Sequence, residues 1–559
     1  MSSIKFIGLG GLQEDGKNLY VLEIDNRIFI LDAGIKYPTS ELYGVDYIVP
    51  NISYLVENKE RIVGLFLTHA HTEHIGAVGN ILKEIPVKIY ASKFTIAVLK
   101  DMLNHDKINY DEKMIIEISR KTALHFGNIT VRFFQVAHNV FDAYGIDILT
   151  EDGNIIYTGN YSFDQNVKVD YASMFRMLAI FAKEGVLALL TESLGAINDQ
   201  NRGTILEFKM RLNQILASAQ GRVIFSIFSS DLLRMQQIID IGIANNRRIA
   251  VIGRKTQRLV NVAMNLGYLH IPNEYLANLR YIDEKNKNLD DDLLVLVCGE
   301  RHEPYYMLQR MSRGVDRLVN INSDDTVVIL TTPYIGTEKM AARTLDIIYH
   351  KTSKVKVFKK ELMPASNATR EEIKEMINIL KPKYIIPVIG EYRHQFACEV
   401  VANCVGHPDE NFLIADCGDI LEFENGKYVG IGGDVEVGEN LVDGKAFSDV
   451  GDVVMHDREL LAEDGVFLIS ALVNPKNKTI SEDIQIVTKG FIYVKDNEEL
   501  LNEVKELFKK VTSKYFVTKY VNWSDLKTNL RNEIGHYLYK ATKRNPIVIP
   551  VLIATDLIN

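Results

Sequence analysis

Three histidines fall within six consecutive positions of the segment LTHAHTEHIGA, residues 67–77. His69 and His71 alternate at the end of an apolar, strand-like run, so both imidazoles can face one space, whereas His74 begins a helical pattern and points elsewhere. Imidazole is the commonest protein ligand for zinc. The segment therefore predicts a loop that supplies ligands to two neighbouring metal positions. The alternative is that the histidines cluster by chance on a solvated turn.

Apolar runs on both sides of this loop predict the elements that hold it. The runs NLYVLEI (18–24), RIFILDA (27–33) and IVGLFLT (62–68) are too short for typical helices and are rich in β-prone residues. A helical pattern starts at residue 74, and the strand-like run VKIYAS follows it. This alternation predicts a layered α/β domain.

Changes in pattern along the chain predict further domains. Residues 1–194 form the first part of the layered domain, and repeated strand and helix units over 195–352 predict an inserted parallel α/β domain. Residues 353–429 again show the pattern of short strands and helices found in the first part, and they are interpreted as the second part of the same domain. The Gly-rich segment 430–450 is interpreted as a linker, although turns between short strands fit it almost as well. Residues 451–559 predict a small α+β C-terminal domain.

Composition limits the class of protein. The 559 residues are 47% hydrophobic and 25% charged, which is typical of a soluble chain with several domains. The formal net charge of −9 means that binding to nucleic acid would need a local basic surface. No run of 18 apolar residues occurs, the start lacks a secretory pattern, and the four cysteines form no CxxC pair. We therefore expect a cytoplasmic protein without membrane contact.

Four short motifs occur in a recognisable order. They are LDAG at 31–34, THAHTEH at 68–74, VAHNVFD at 136–142 and YTGNYSFDQ at 157–165. In this order they resemble the motifs of the metallo-β-lactamase superfamily, whose signature is HxHxDH. The inserted domain and the later motifs KPKY and GEYR resemble its β-CASP branch. The stretches FSSDLLRMQQ, CGERHEPYYMLQRM and, at the C-terminus, WSDLKTNLRNEIGHYLYKATKRNPIVIPVLI resemble the ribonuclease J family.

This resemblance implies both a fold and a set of site residues. The fold is a metallo-β-lactamase αββα sandwich with an inserted β-CASP α/β domain and a small α+β C-terminal domain. The implied metal positions are those of His69, His71, His74, His138 and Asn160, with Asp32 and Glu192 supporting them. The implied catalytic positions are those of Glu73 and Asn367. The positions implied to face RNA are Ser229, Arg234, Lys339 and Arg393, for which a solvated surface or a salt bridge is the alternative.

The chain departs from the family pattern at four positions. Glu73 stands where the family has Asp, which shifts the carboxylate by roughly an ångström in a site that tolerates about half of that. Asn160 replaces the metal-bridging Asp, and a neutral amide is a poor bridge between two dications. Asn367 and Ile389 stand in place of two histidines, and an isoleucine cannot ligate a metal. We therefore expect one weakly bound zinc, or two if the family pattern survives these substitutions.

The resemblance also implies a function. We expect a metal-dependent 5′ to 3′ exoribonuclease with some endonuclease capacity, weakened by the substitutions, that acts on RNA bearing a 5′ monophosphate. The alternative is an impaired RNA-binding subunit, because the losses resemble those of the degenerate second ribonuclease J paralogue that some bacteria carry beside an active one. A DNA-directed β-CASP nuclease is a third, disfavoured hypothesis. The implied partners are RNA, further copies in a dimer or tetramer, and an active paralogue.

Overall fold

A computed structural model gives the arrangement of most of the chain. It describes residues 3–38, 42, 44–163, 171–197, 203–277, 279, 290–334, 336–443, 452–474, 477–492, 497–517 and 520–554. The chain divides into two compact units, Met1–Tyr37 with Tyr47–Asn440, and Pro38–Asp46 with Leu441–Asn559. Within the described ranges, no helix has the length and apolar character needed to cross a membrane.

Short strands rich in branched and aromatic residues make up the sheets. In chain order the strands before the insertion are β1 (Ser3–Gly10), β2 (Leu19–Ile24), β3 (Arg27–Leu31), β4 (Tyr47–Pro50), β5 (Ile62–Phe66), β6 (Ile89–Ala91), β7 (Ile115–Glu117), β8 (Ala123–Phe126), β9 (Ile129–Gln135), β10 (Tyr144–Thr150), β11 (Gly153–Tyr157) and β12 (Val186–Glu192). The later strands are β13 (Val223–Phe228), β14 (Arg248–Ile252), β15 (Leu293–Gly299), β16 (Thr326–Ile329), β17 (Val355–Val357), β18 (Tyr384–Val388), β19 (Asp419–Glu424), β20 (Lys427–Asp434), β21 (Glu439–Val442), β22 (Val466–Asn474), β23 (Thr479–Ile480), β24 (Gln485–Lys489) and β25 (Ile547–Ala554).

The helices are amphipathic and cover the sheets. They are α1 (Ser53–Glu57), α2 (Thr72–Ile75), α3 (Val78–Glu84), α4 (Lys93–His105), α5 (Tyr171–Glu184), α6 (Ile205–Ser218), α7 (Leu232–Ala244), α8 (Arg254–Asn265), α9 (Glu303–Ser312), α10 (Glu338–Tyr349), α11 (Arg370–Leu380), α12 (Tyr392–Cys404), α13 (Asp452–Glu463), α14 (Glu498–Phe516) and α15 (Trp523–Thr542). Several begin at side-chain caps, such as Thr369, which forms a reciprocal capping box with Glu372 at the start of α11.

Two sheets of the first unit enclose its main core. Their strand orders are β20-β19-β1-β2-β3-β5-β6-β7 and β18-β12-β11-β10-β9-β8. Side chains of both sheets share one buried cluster, including Phe6 and Phe29 from the first sheet and Phe133 and Ile146 from the second. Helices α3 and α4 pack on the outer face of the first sheet, and α5, α11 and α12 pack on the outer face of the second. This arrangement is the αββα sandwich expected from the sequence, and that expectation is confirmed.

The inserted domain is a parallel sheet with helices on both faces. Its strand order is β14-β15-β13-β16-β17, and every pairing in it is parallel. Helices α6, α7 and α8 bury one face, and α9 and α10 bury the other. Because both faces are covered, strands such as LLVLVCG are apolar along their whole length. After the insertion the chain returns to the sandwich, where β18 pairs in parallel with β12.

The Gly-rich segment interpreted as a linker contains regular structure. Its described part includes the end of β20, which pairs antiparallel with β19, and all of β21, whereas residues 444–450 lie outside the described residues. The register of β19 and β20 shifts at two places, and Gly430 and Gly433 adopt φ of 135° and 138°, which other residues rarely adopt. The glycines therefore allow an irregular edge strand, and the exact domain boundaries stay a prediction.

The second unit has the α+β composition expected of the C-terminal domain. Strand β22 pairs antiparallel with β23 and β24 and in parallel with β25. Helices α14 and α15 pack against one face of this sheet. The core between them contains Phe467, Phe508, Leu530 and Leu538. Alternate residues of β22 are buried, as expected for a sheet that is covered by helices on one face.

A buried ion pair of the inserted domain provides a stability test. Arg222 Nε donates to Asp325 Oδ1 at 2.8 Å, and both side chains are 1% exposed. Replacing Arg222 by Met leaves Asp325 buried without its counter-charge, so we expect the free energy of unfolding to fall by about 3–5 kcal/mol. The matched control is Arg248→Met, which removes a more exposed pair with Asp292 and should cost about 1 kcal/mol or less. Equal losses in urea unfolding of the two variants would contradict this expectation.

Candidate metal centre

A buried carboxylate, Asp32, joins the loops that carry the histidines. It follows β3 in a left-handed conformation with φ of 59°, which Asp adopts more readily than most residues. Its oxygens accept hydrogen bonds from the Thr68 amide and hydroxyl, both at 2.8 Å, from His74 Nδ1 at 2.7 Å and from the Tyr157 hydroxyl at 2.7 Å. Asp32 therefore lies behind the histidines and ties the end of β3 to the histidine loop and to β11.

Three of the predicted ligands converge on one space. His69 and His71 follow β5 on the loop before α2, and His138 follows β9. His71 Nδ1 lies 3.1 Å from His69 Nε2 and 3.2 Å from His138 Nε2, and the ligand nitrogens of all three rings lie within 4.8 Å of one another. Two imidazoles bound to a tetrahedral metal at about 2.0–2.1 Å have nitrogens about 3.3 Å apart. The donor set and its spacing therefore fit one metal ion.

The outward nitrogen of each of these rings contacts a protein oxygen. The contacts are His69 Nδ1 with Thr68 Oγ1 at 3.0 Å, His71 Nε2 with the Ser230 carbonyl at 3.2 Å and His138 Nδ1 with the Ser366 carbonyl at 2.7 Å. The carbonyls can only accept, and the Thr68 hydroxyl donates its own proton to Asp32, so each outward nitrogen carries the ring proton. The lone pair of the other nitrogen then faces the shared space.

Burial keeps these three rings neutral. It lowers the pKa of His69 and His138 well below the usual range, and the neighbouring imidazoles lower it further. Burial also lowers the pKa of His71, against the charge of Glu73, which acts in the opposite direction. A neutral imidazole with a free inward lone pair is the form that binds a metal.

His74 does not direct a nitrogen into the space shared by the other three histidines. Its Nδ1 donates to Asp32, so its Nε2 is an acceptor, and this nitrogen lies 3.3 Å from the amide nitrogen of Asn18. The orientation of the Asn18 amide follows from its other contacts, because Nδ2 donates to the Glu73 carbonyl at 2.9 Å and Oδ1 accepts from the Tyr20 hydroxyl at 3.0 Å. The nitrogen with which His74 would bind a metal is therefore occupied by a protein donor.

Asn160 also forms a contact within the protein. Its Nδ2 donates to the buried carboxyl group of Glu192 at 2.8 Å. The backbone amides of Tyr161 and Ala368 donate to the other oxygen of Glu192, both at 2.8 Å. Burial raises the pKa of Glu192 to about 8, although these three donors act in the opposite direction. An Asp at position 160 would bring a second carboxyl group against Glu192, whereas the Asn amide satisfies it.

Ile389 is buried, at 1% exposure, and its backbone is left-handed with φ of 53°. Residues branched at Cβ rarely adopt this conformation, which costs about 1–3 kcal/mol. Backbone contacts hold it there: the amide donates to the Gly11 carbonyl at 3.0 Å and the Tyr20 hydroxyl at 3.1 Å, and the carbonyl accepts from the Ser193 amide at 3.3 Å. The side chain packs in the core between the two sheets. Ile389 thus has an unusual backbone conformation, and its side chain has no atom that could bind a metal.

The two predicted catalytic residues are Glu73, in the short helix α2, and Asn367, on the loop before α11. Glu73 is half-buried in α2, and its carboxylate accepts from the Thr72 hydroxyl at 3.2 Å. Asn367 is half-buried between Ser366, whose carbonyl accepts from His138, and Ala368, whose amide donates to Glu192. The contacts of its two neighbours therefore fix the position of Asn367 relative to His138 and Glu192.

A small cavity adjoins His138 on the side of the inserted domain. Arg234 lines it and donates to the Pro364 carbonyl at 3.3 Å. Two side-chain oxygens in its lining, Asn139 Oδ1 and Gln237 Oε1, are buried without a hydrogen-bond partner among the described residues. Because buried polar atoms are normally hydrogen-bonded, the cavity suits a bound water molecule.

The structure does not gather the other predicted RNA contacts around this cavity. Ser229 is buried, and its amide donates to the Gly299 carbonyl at 3.0 Å. Lys339 is exposed on α10. Arg393 is exposed at the start of α12 and forms an ion pair with Glu391 at 2.8 Å. Their roles in RNA binding stay predictions.

Four family models match parts of the chain that agree with these domains. They are the metallo-beta-lactamase superfamily at residues 12–103, the ribonuclease J beta-CASP domain at 220–348, the Zn-dependent metallo-hydrolase RNA specificity domain at 367–399 and the ribonuclease J C-terminal domain at 453–555. With the αββα sandwich and the three-histidine group, these matches define a metallo-β-lactamase-fold hydrolase with a β-CASP insertion.

Relatives that match over nearly the whole chain define the family more narrowly. The protein called Ribonuclease J 2 of Staphylococcus epidermidis is 34% identical over 549 residues, which is 98% of each chain. The protein of the same name from Streptococcus pyogenes serotype M3 is 36% identical over 552 residues, which is 99% of each chain. This chain belongs to the ribonuclease J family. The resemblance found in the sequence is therefore confirmed.

A solved structure supports the fold independently. A protein of unknown function from Enterococcus faecalis V583 superimposes with a TM-score of 0.53 and 14% sequence identity. The match covers 75% of this chain and 100% of that one. At this level of identity the similarity concerns the fold alone.

Sequence reasoning missed several residues that hold the site. Asn18 reaches His74 across 56 positions of the chain, and Ser366 reaches His138 across 228. No local pattern marks such residues, because only the folded chain brings them to the histidines. Thr68 had a signal, since it directly precedes His69 and ends the apolar run.

Metal content tests the assignment of the three ligands. We expect His71→Ala and His138→Ala each to lose the bound metal, because each removes one of three converging nitrogens. His74→Gln is the matched control and should keep its metal, because Nε2 of His74 faces Asn18. Elemental analysis of the purified variants is the measurement. Loss of metal from His74→Gln to the same extent would show that the three-histidine assignment is wrong.

The raised pKa of Glu192 predicts a pH dependence of stability in the metal-free protein. Since the folded-state pKa is about 8 against an ordinary value of 4.5, the folded state holds the proton more tightly. This stabilisation is complete below about pH 4.5 and is lost as the pH rises through about 8. In Glu192→Gln, the amide oxygen can accept from Tyr161 and Ala368 while a flipped Asn160 accepts from the new NH₂ group.

We therefore expect Glu192→Gln to lose less stability than the wild type between pH 5 and about 8. Urea unfolding of both proteins in EDTA across this range gives the comparison. Parallel curves for the two proteins would mean that Glu192 does not titrate there.

Proposed function

We propose that this chain acts in RNA processing and degradation as a cytoplasmic ribonuclease J-type protein with weak hydrolytic activity. The reaction is 5′ to 3′ exonucleolytic hydrolysis with some endonuclease capacity, and the substrate is RNA that bears a 5′ monophosphate. The observation that carries the proposal is the group of three neutral, converging histidines in a β-CASP metallo-hydrolase. Zinc is the metal that such a nitrogen set suits best.

In the proposed reaction, some residues of this chain would bind the metal and others orient the residues that bind it. When bound, zinc supplies a Lewis acid that lowers the pKa of a water molecule and polarises a phosphoryl oxygen. His69, His71 and His138 would hold it, and Asp32 keeps His69 in the required tautomer through the Thr68 hydroxyl. These contacts orient the ligands before the metal arrives.

Binding of RNA next to this position is supported by the match to the Zn-dependent metallo-hydrolase RNA specificity domain over residues 367–399, which include Asn367. The cavity beside His138 has room for about one water molecule, and Arg234 there pairs with Asp231 at 3.4 Å. The cavity therefore does not itself provide a nucleotide site.

The residues at the implied second metal position support the proposal that the activity is weak. Two-metal hydrolysis uses one ion on the attacking oxygen and another on the leaving oxygen. Here Nε2 of His74 contacts Asn18, Asn160 donates to Glu192, and Ile389 has no ligand atom. One occupied position would stabilise only part of the charge that develops in the transition state.

The same observations favour a second function, that of an RNA-binding subunit. In this proposal the chain assembles with an active ribonuclease J paralogue and modulates it, and it also forms dimers or tetramers of its own. The contacts that replace metal ligation at the second position are complete hydrogen bonds within the protein rather than unpaired charges. A chain that is stable without the second ion suits a subunit that does not need to catalyse.

Restoring ligands at the second position separates the two functions. The double variant Asn160→Asp with Ile389→His returns a bridging carboxylate and an imidazole, and histidine tolerates the left-handed backbone better than isoleucine. We expect it to bind additional zinc and to degrade 5′-monophosphorylated RNA at least about tenfold faster than the wild type. Zinc content and the rate of mononucleotide release are the measurements.

His71→Ala should abolish the residual cleavage of the wild type if the three histidines carry it. Residual cleavage that survives His71→Ala would reject the catalytic proposal and leave the subunit proposal. Preferential cleavage of single-stranded DNA would reject an RNA function altogether.

A further inference from the structure

The inserted domain has a crevice at the carboxyl edge of its parallel sheet. Strands β13 and β16 are neighbours in this sheet and run parallel. The helix that follows β13, α7, packs on one face of the sheet, whereas the helix that follows β16, α10, packs on the other face. In open α/β sheets such a reversal separates the loops at the carboxyl ends of the two strands, and ligands bind between them. The topology therefore marks this edge as a binding site.

Two aromatic residues lie in this crevice. Phe228 ends β13, Tyr334 lies on the loop after β16, and their ring centroids are 5.0 Å apart at an angle of 55°. The backbone amide and the hydroxyl of Thr337 donate to the Tyr334 carbonyl at 2.9 and 2.8 Å, so the backbone of Tyr334 is held in place. Phe228 supports the Tyr334 ring from one side, and Tyr334 remains 45% exposed. The crevice therefore offers an aromatic ring on a fixed support.

The loops at this edge contact the segment that carries the metal ligands. The carbonyl of Ser230, on the loop after β13, contacts Nε2 of His71 at 3.2 Å. Arg301, on the loop after β15, lies over the ring of Tyr37 at 5.1 Å, and the Tyr37 hydroxyl contacts the Thr72 hydroxyl at 3.4 Å. His71 and Thr72 are adjacent in the sequence. A ligand in the crevice is therefore next to the three-histidine group.

The charges around Tyr334 suit a nucleobase better than a phosphate. Burial raises the pKa of the Tyr334 hydroxyl, the carboxylates of Glu73, Asp15 and Asp231 raise it further, and the guanidinium of Arg301 lowers it. Three carboxylates against one guanidinium repel an anionic group, but carboxylates accept hydrogen bonds from the amino group of a base. An aromatic side chain can stack on any base, because every base has a π-face.

Asp15 is the carboxylate that is free to accept from such an amino group. Asp231 pairs with Arg234 at 3.4 Å, and Glu73 accepts from the Thr72 hydroxyl at 3.2 Å. Asp15 is exposed and forms no hydrogen bond or ion pair within the part of the chain that the structure describes. Among the described residues, the three histidines are the one group of ligand side chains that converges enough to hold a metal. The carboxylates of the crevice are therefore not gathered around a cation.

We propose that one base of the bound RNA enters this crevice, stacks on Tyr334 and donates a hydrogen bond from its exocyclic amino group to Asp15. This inference rests on the proposed function, in which RNA is the ligand. Cytosine carries such an amino group, whereas uracil has a carbonyl oxygen at the same position and would bring an acceptor against the carboxylate. The crevice thus gives the chain a preference for cytosine over uracil at one nucleotide next to the metal centre.

Binding of two short 5′-monophosphorylated RNAs, oligo(C) and oligo(U), tests the proposal. The full-length protein is kept in EDTA so that neither RNA is cleaved, and fluorescence anisotropy at one fixed salt concentration gives the dissociation constants. We expect oligo(C) to bind about tenfold more tightly than oligo(U). Tyr334→Ala removes the stacking surface and should weaken binding of both RNAs at least about fivefold. Tyr334→Phe keeps the ring and should restore both affinities.

Asp15→Asn separates the hydrogen bond from the stacking. An amide can present either its oxygen or its NH₂ group, so the preference for oligo(C) should fall to about twofold or less, while the affinity for oligo(U) is kept or increased. Tyr349→Ala is the matched control, because Tyr349 is 54% exposed at the far end of α10 from this edge. It should bind both RNAs as the wild type does. Thermal unfolding of each variant shows whether its fold is intact.

The outcomes separate this proposal from the proposed function. If the wild type binds neither RNA, the RNA function fails and the crevice proposal fails with it. If the wild type binds both RNAs equally, or if Tyr334→Ala binds them as the wild type does, the crevice proposal alone is overturned. Displacement of oligo(C) by free arginine as readily as by cytidine would mean that the crevice accepts a cationic side chain, which also overturns the proposal.

Discussion

The convergence of hydrogen bonds on the buried carboxylate of Asp32 determines where the rest of the site lies. One carboxylate accepts from the histidine loop through Thr68, from α2 through His74 and from β11 through Tyr157. An unpaired buried carboxylate is costly, so these segments must stay together once the sandwich has formed. The same contacts set the tautomers of two histidines, which means that the fold and the ligand geometry share one cause.

The two metal positions that the family pattern implies differ in this chain. The first position retains three imidazoles, each with its outward nitrogen bound to a protein oxygen. At the second, amide groups and apolar packing take the roles that a cation would otherwise fill: Asn18 contacts His74, and Asn160 satisfies Glu192. Glu192 shows how the substitution at position 160 is accommodated, because its buried oxygens accept hydrogen bonds from Asn160 and from the backbone amides of Tyr161 and Ala368.

The fold and the local ligands could be predicted from the sequence, and the contacts between distant segments could not. The apolar runs predicted the strands around the histidines, and His69 and His71 were recognisable because they lie two residues apart. Asn18 carries no such signal, since its role depends on the sheet that brings it to His74. The Gly-rich segment left two interpretations open for a physical reason, because glycine favours both a flexible linker and an irregular edge strand such as β20.

Ile389 holds its segment in place through packing and backbone hydrogen bonds, without a ligand atom. A site held together by coordination loosens when a chelator removes the ion. This edge of the site is held instead by burial of an isoleucine side chain between two sheets and by backbone hydrogen bonds. Apolar burial weakens on cooling, so we expect the packing of this segment to respond to temperature and not to a chelator.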